Sequence, residues 1–195
     1  MNKEFEYLQS ICSSRKSTRT FSNESVSQND IQKILDIVAT SPYASGQKNW
    51  EVITITDTNE IKQIAEIVKN KAVELQSIIR DDFKEHFMHY SKSFSFFENA
   101  PVLFILTFRI SPVIQGMMGD SITEELKHWE RDNYTKSISC AAMLLLLAAE
   151  SINLGACYMT GPIMAQKEIM QIINAKPGRE IGAIIPIGHK LNNLK

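Results

Sequence analysis

Apolar side chains recur every three or four residues in several parts of the chain, which is the spacing of an amphipathic helix. This pattern predicts helices over residues 3–13, 28–40 and 61–79 and, after Gly161-Pro162, a further helix through Ile173. Ser25 to Gln28 offer N-cap residues for the second helix, and Asp57 to Glu60 look like the start of the third.

Residues 137–153 predict a different kind of helix. The run from Ala141 to Ala149 is apolar on every side of that helix, so we expect it to be buried all round. In a chain of this length such a helix needs a covering surface, and dimerisation is one way to supply it.

Unbroken or β-branched apolar runs predict the strands. Residues 51–56 are rich in β-branched residues, residues 102–108 and 181–188 are typical of strands buried on both faces, and residues 156–159 are short and strand-like. With no linker or repeat between these elements, we expect one domain over residues 1–195, of mixed α/β or α+β class, with about four strands.

The middle of the chain is the hardest part to interpret. Phe94, Phe96 and Phe97 either line a pocket or anchor a loop. Residues 110–134 include a flexible Gly116 to Gly119 and an exposed helix over residues 124–131, and they are either a lid that faces a substrate or surface packing.

Composition narrows the classes of function. The chain has 195 residues, a net charge of −1 and 44% hydrophobic residues, so nucleic acid and anionic membranes are not its expected partners. Its first residues lack the apolar core of a signal peptide, and three cysteines without CxxC spacing suggest neither a disulfide framework nor a zinc site. We expect a cytoplasmic protein.

Most standard catalytic motifs are missing from the sequence. No GxGxxG, GxxxxGK[ST]-type or GxSxG pattern is present. Asp82, His86 and His89 share a helical face, but their charged neighbours favour an ordinary exposed helix, so we predict no metal site. Cys157 lies in an apolar strand and is expected in the core rather than as a nucleophile.

A basic stretch, Arg15-Lys16-Ser17-Thr18-Arg19-Thr20-Phe21, is the main candidate for chemistry. Taken alone it has two interpretations. It is either a solvated charge run or an anion site, in which guanidinium groups and hydroxyls bind a phosphate.

Four segments in order resemble the nitroreductase family of FMN-dependent oxidoreductases. They are the basic stretch 15–21, the loop 41–50 that ends in Trp50, the buried helix and following turn 137–162, and the end of the last strand at residues 185–190. Each is weak alone, and their order and spacing carry the resemblance, which covers nearly the whole chain except about residues 80–134.

The resemblance implies an α+β fold in which helices surround a central mixed sheet of about four to five strands. It also implies a homodimer, packed through the long buried helix, with FMN at the subunit interface. Arg15 and Ser17 match positions on the phosphate and ribityl side, and Arg19 matches a cation near flavin N1 and the C2 carbonyl.

The remaining flavin positions come from the later segments. Pro42, Tyr43 and Ala44 match the loop that reaches the partner's flavin, and Thr160 and Gly161 match residues near flavin N5. The predicted cofactor-binding set is Arg15, Lys16, Ser17, Arg19, Pro42, Tyr43, Ala44, Lys48, Thr160, Gly161, His189 and Lys190.

Two departures from the family pattern bear on this set. Gly46, Lys48 and Asn49 replace the usual Asn, Gln and Pro, which makes Lys48 a candidate extra cation for the flavin. The cation that usually follows the last strand is also not obvious, which leaves His189 and Lys190 as the nearest candidates.

The predicted function is hydride transfer from NADH or NADPH to FMN, and then to a small electron acceptor such as a nitroaromatic or quinone. No side chain is required as an acid or base, and Arg19 is the only candidate for a catalytic role, as a charge stabiliser. Two alternatives remain: a flavin-dependent dehydrogenase or oxidase acting on an unknown metabolite, and a non-catalytic flavin-binding protein.

Overall fold

The computed structural model describes residues 2–43, 46, 48–110 and 113–191, so the predicted site residue Ala44 lies outside the described residues. The described residues form one antiparallel sheet with helices on both faces. Its strands are β1 (Trp50–Ile55), β2 (Val102–Arg109), β3 (Leu154–Ala156) and β4 (Arg179–His189), in the order β1-β2-β4-β3.

The strands predicted over residues 51–56, 102–108 and 181–188 are confirmed, whereas the one predicted over 156–159 lies earlier, at Leu154–Ala156, and Met159 forms only an isolated bridge with Ile184. The prediction of a mixed sheet is corrected. Each neighbouring pair of named strands is antiparallel. In the described chain, parallel pairing is limited to an isolated bridge between Ser17 and Ala156, because the basic stretch runs beside β3 for a single residue pair.

β2 lies between the two halves of the core, and its residues Val102 to Phe108 are all buried, as the unbroken apolar run predicts. Phe104 and Leu106 pack into the cluster that contains Ile34 and Leu145. Leu103 and Ile105 face the opposite cluster. A strand covered on both faces favours apolar residues on both, which explains the missing alternation; Thr107 is the one polar residue among these buried positions.

Seven α-helices surround the sheet in the described residues. They are α1 (Lys3–Ser14), α2 (Gln28–Val38), α3 (Thr58–Ile78), α4 (Asp81–Ser91), α5 (Val113–Met118), α6 (Glu124–Ser151) and α7 (Gln166–Ile172). The predicted starts of α2 and α3 are confirmed. The Ser27 side chain accepts a hydrogen bond from the N–H of Asp30, and Asp57 accepts one from the N–H of Asn59.

α6 corrects one expectation. The helix predicted over residues 124–131 and the one over 137–153 are a single 28-residue helix. The polar residues between them hide the helical period, but they include no Gly or Pro that would end a helix. Within one chain part of α6 is uncovered, since Ser139 and Cys140 are exposed and Met143 is 50% exposed. This exposure is consistent with the expectation that the helix needs a covering surface.

The middle of the chain is folded against the rest. Two short 3₁₀ turns, Lys92–Phe94 and Phe96–Asn99, bury Phe94 and Phe97. Glu130 on α6 is buried and accepts a hydrogen bond from the N–H of Ile114 at 2.9 Å, so it holds the start of α5 on α6. Among the described helices, none is both long and apolar enough to cross a membrane.

Candidate functional site

The basic stretch is fastened to the edge of the sheet. The N–H of Thr18 donates to the carbonyl of Ala156 at 3.0 Å, and the N–H of Ser22 donates to the carbonyl of His189 at 3.0 Å. Gly155 is required beside it, because a methyl group there would lie 2.6 Å from Thr18 Cγ2. The backbone of β3 therefore sets the position of residues 17–18.

The three cationic side chains of this stretch have no carboxylate partner among the described residues. Arg15 is half-buried, Lys16 and Arg19 are exposed, and none of the three forms a salt bridge with a carboxylate of the described residues. Arg19 Nη1 makes a long hydrogen bond to the carbonyl of Ser17, at 3.4 Å. The donors of these side chains are thus available to a negatively charged ligand.

A cavity of about 390 Å³ opens next to Arg15 and Ser17. Its other lining residues are Ser139, Met143 and Leu146 of α6 and Tyr158 after β3. The cavity is therefore cationic and polar on one side and largely apolar on the other. Its volume lies within the usual range of ligand pockets, about 300–1,000 Å³.

The three lining residues of α6 and Tyr158 are absent from the cofactor-binding set predicted from the sequence. α6 is recognisable in the sequence as an apolar helix, but nothing in its pattern says that Ser139 and Met143 face residues 15–17. Only the packing of α6 beside the basic stretch brings them together.

Cys157 lies directly behind the basic stretch. Burial raises the pKa of its thiol, while the charges of Arg19 and Arg15 and a hydrogen bond with Ser17 act in the opposite direction. The side chain is 4% exposed, which confirms that it belongs to the core.

Thr160 and Gly161 form the start of a 3₁₀ turn, Gly161–Ala165, two residues beyond Tyr158. The turn is closed by a hydrogen bond from the N–H of Ile163 to the carbonyl of Thr160, at 3.0 Å. Gly161 is packed directly against the ring of Phe94.

The model of the nitroreductase family matches residues 12–189, most of the chain. The chain belongs to the nitroreductase family. Iodotyrosine deiodinase of Hydra vulgaris is 27% identical over 187 residues, which are 93% of this chain and 64% of that protein, so the chain spans less than two thirds of this relative's length.

Two solved structures share the family fold. A BluB-like flavoprotein from Clostridium difficile 630 has a TM-score of 0.84 and 25% identity, covering 96% of this chain and 92% of the other. A nitroreductase with bound FMN from Bacteroides fragilis NCTC 9343 has a TM-score of 0.72 and 16% identity, covering 100% and 92%. The predicted family and fold are thereby confirmed.

The donor set of this nitroreductase-family chain suits FMN. A phosphate requires cationic and hydroxyl donors. Arg15 supplies a cation without a carboxylate partner among the described residues, and Ser17 supplies a hydroxyl, which also forms a hydrogen bond with Cys157. A flavin ring requires an apolar surface, and Met143 and Leu146 supply one in the same cavity.

The other predicted cations lie elsewhere and have partners. Lys48 Nζ lies 4.4 Å from the centre of the Trp50 ring, and Lys48 lines a separate cavity of about 220 Å³ with Leu35 and Val38.

Pro42 and Tyr43, which were predicted to reach the partner's flavin, follow α2 in the chain and are exposed.

His189 and Lys190 line a third cavity, of about 540 Å³, which also contains Ser22 and Asn153. Lys190 Nζ lies 2.8 Å from both carboxylate oxygens of Glu150, and His189 Nε2 lies 3.8 Å from a carboxylate oxygen of Glu24. The structure therefore does not bring them into the Arg15 cavity.

His86 and His89 lie on α4 and are exposed. Among the described residues, no group of three or more His, Cys, Asp or Glu side chains is placed to hold a metal ion.

Proposed function

We propose that this chain is an FMN-dependent oxidoreductase that takes hydride from NADH or NADPH and delivers it to a small acceptor such as a nitroaromatic or a quinone. The observation that carries the proposal is a cavity in a member of the nitroreductase family, in which Ser17 and Arg15 face the apolar side chains of α6 and Arg15 has no carboxylate partner among the described residues.

Four residues of the basic stretch have roles in this proposal. Arg15 and Ser17 bind the phosphate through charge-assisted hydrogen bonds, with Lys16 adding positive charge nearby. Arg19 stabilises negative charge on the pyrimidine side of the flavin ring, since a fixed cation favours the form that carries more electron density. Bound FMN supplies the capacity to accept and donate hydride.

The proposed working unit is a homodimer. Several large apolar side chains are exposed on one chain: Phe5, Tyr7 and Leu8 of α1 are each more than half exposed, and Met143 of the flavin cavity is 50% exposed. Burial of this surface by a second chain would remove apolar area from water and close the cavity. The exposed Pro42–Tyr43 segment is proposed to reach the partner's flavin.

A cytoplasmic location is part of the proposal. Cys12 and Cys140 are exposed free thiols, and Cys157 is a buried one. Exposed thiols of this kind persist in a reducing compartment.

The test begins with the protein as purified, reconstituted with FMN if it emerges colourless. We expect a yellow protein whose flavin absorbance is bleached anaerobically by NADH or NADPH and restored by a quinone. Failure to take up added FMN would overturn the proposal. Flavin that binds but is reduced by neither nicotinamide would favour oxidation of a bound metabolite instead, and bound flavin without turnover for any acceptor would favour a non-catalytic role.

Reductive dehalogenation is a second candidate, favoured by the similarity to iodotyrosine deiodinase across 93% of this chain. In this reaction two electrons from the reduced flavin and one proton replace a carbon–iodine bond by a carbon–hydrogen bond, and iodide leaves. The assay is iodide release when dithionite-reduced holoprotein is mixed with iodotyrosine. No iodide above the protein-free control would reject this candidate.

A further inference from the structure

Ser139 is a polar side chain in the part of α6 that lines the cavity beside Arg15. Its hydroxyl donates a hydrogen bond to the carbonyl oxygen of Thr135, one turn earlier in the helix, at 2.9 Å. A serine hydroxyl has one proton to donate and two lone pairs that accept. Because its proton is used within the helix, Ser139 Oγ can serve a ligand in the cavity only as an acceptor.

Arg15 has the opposite property on another wall of the same cavity. A guanidinium group donates hydrogen bonds and accepts none. Arg15 has no carboxylate partner among the described residues, so its donors face the cavity without a competing anion. A ligand that fits this cavity therefore needs an anionic group for Arg15 and a hydrogen-bond donor for Ser139.

The apolar lining begins one turn further along α6. Met143 and Leu146 follow Ser139 by four and seven residues, which places the three side chains on one face of the helix. With a rise of about 1.5 Å per residue, Met143 lies about 6 Å beyond Ser139 along the helix axis, and Leu146 about 10 Å beyond it. The donor of the ligand therefore lies at one end of an apolar surface that is long enough for an aromatic ring system.

FMN carries these groups in the required order: a phosphate, a hydroxylated ribityl chain and a flat ring. We propose that Ser139 accepts a hydrogen bond from a ribityl hydroxyl of FMN and is a specificity residue for that chain. This inference rests on the proposed function, which places FMN in this cavity. It goes beyond the cofactor-binding set predicted from the sequence, which includes no residue of α6.

The first experiment compares Ser139→Ala with Ser77→Ala by fluorescence titration of the apoproteins with FMN. Ser77 is the matched control, because it is also an exposed helical serine, its hydroxyl donates to the carbonyl of Glu74, and it does not line this cavity. For Ser139→Ala we expect FMN to bind about three- to tenfold more weakly, the effect of one lost neutral hydrogen bond. For Ser77→Ala we expect unchanged affinity, and for both variants an unchanged melting temperature.

The second experiment uses FMN analogues that each lack one ribityl hydroxyl. The analogue without the hydroxyl that contacts Ser139 should bind wild type about three- to tenfold more weakly than FMN does. In Ser139→Ala the same analogue should bind as well as FMN, since the contact is already lost. Non-additivity of this kind identifies groups that interact directly, whereas a general change in the cavity would weaken FMN and every analogue by the same factor.

Riboflavin distinguishes a contact with the ribityl chain from a contact with the phosphate, because it has the chain and lacks the phosphate. We expect Ser139→Ala to weaken riboflavin and FMN binding by the same factor. A loss with FMN that is absent with riboflavin would assign Ser139 to the phosphate and overturn the inference.

The remaining outcomes separate this inference from the function on which it rests. Wild-type protein that takes up no FMN overturns both. Wild-type protein that binds FMN, together with unchanged affinity in Ser139→Ala or additive effects for every analogue, overturns only the role of Ser139.

Discussion

Two groups of cations flank the same short β3 strand, and the structure treats them differently. Arg15, Lys16 and Arg19 form no salt bridge with a described carboxylate, and Arg15 faces a cavity with an apolar wall. On the other side, Lys190 is bound to both oxygens of Glu150, whose side chain is only 8% exposed.

The difference teaches how to recognise a ligand-binding cation. Removing Lys190 would leave a buried carboxylate without a partner, so its charge is already used to stabilise the fold. Removing Arg15 would leave no described carboxylate without a partner, so the charge of Arg15 remains available to a phosphate. Neither the sign of the charge nor the distance along the chain from the last strand distinguishes Arg15 from Lys190. The presence of a carboxylate partner does.

The largest expected effect comes from Arg15→Ala. Loss of one charged phosphate contact should weaken FMN binding by about 1.5–3 kcal/mol, which is roughly tenfold to a hundredfold in Kd. Fluorescence titration of the apoprotein with FMN measures it. Arg80→Ala is the control, because Arg80 is exposed and stacks on the Phe83 ring at the start of α4. Equal affinity in wild type and Arg15→Ala would refute the phosphate assignment.

Lys190→Ala should act on stability instead. Without Lys190, the carboxylate of Glu150 loses its charged partner, and the free energy of unfolding should fall by about 1–3 kcal/mol in urea titration. Lys33→Ala, which removes an exposed pair with Asp30, is the control and should cost under about 1 kcal/mol.

The FMN affinity of Lys190→Ala decides how far the contrast between the two groups extends. We expect a much smaller change than in Arg15→Ala. A loss as large as that of Arg15→Ala would mean that Lys190 leaves Glu150 and binds the phosphate when FMN is present.

Arg19→Ala separates charge at the flavin ring from charge at the phosphate. We expect the reduction potential of bound FMN to fall by about 30 mV, a tenfold change in the two-electron equilibrium, with a smaller loss of affinity than in Arg15→Ala. Arg19→Lys retains the charge and should retain most of the potential. If Arg19→Ala weakens binding without moving the potential, Arg19 belongs with the phosphate contacts.

The smallest effect concerns Cys157. Because burial raises the pKa of its thiol, alkylation in a Cys12→Ser/Cys140→Ser background should be slow at neutral pH and accelerate as the pH rises. Arg19→Ala should slow it further, since the Arg19 charge lowers the pKa of this thiol. Lys33→Ala should leave the rate unchanged. Faster alkylation in Arg19→Ala would show that Arg19 shields the thiol rather than acting on it by charge.

Much of the fold could be predicted because its signals are local. The strand over residues 102–108 is an apolar run interrupted only by Thr107, and Ser27 and Asp57 cap the helices that they were expected to begin. The continuity of α6 was missed, since Tyr134 is the single apolar residue between residues 131 and 137 and the buried residue four positions before it is Glu130. Whether two neighbouring strands pair parallel or antiparallel depends on the path of the helices that connect them. No local sequence pattern predicts that path.

The candidate site divides in the same way. The sequence by itself determined the family, the order of the elements and the basic stretch that holds Arg15, Ser17 and Arg19. Only the tertiary structure decided which cations are free, since the Glu150–Lys190 pair joins residues 40 positions apart. It also decided that Met143 and Tyr158 complete the cavity and that Phe94 lies against Gly161. Salt bridges, cavities and ring contacts form between distant segments, and their geometry exists only after the chain has packed.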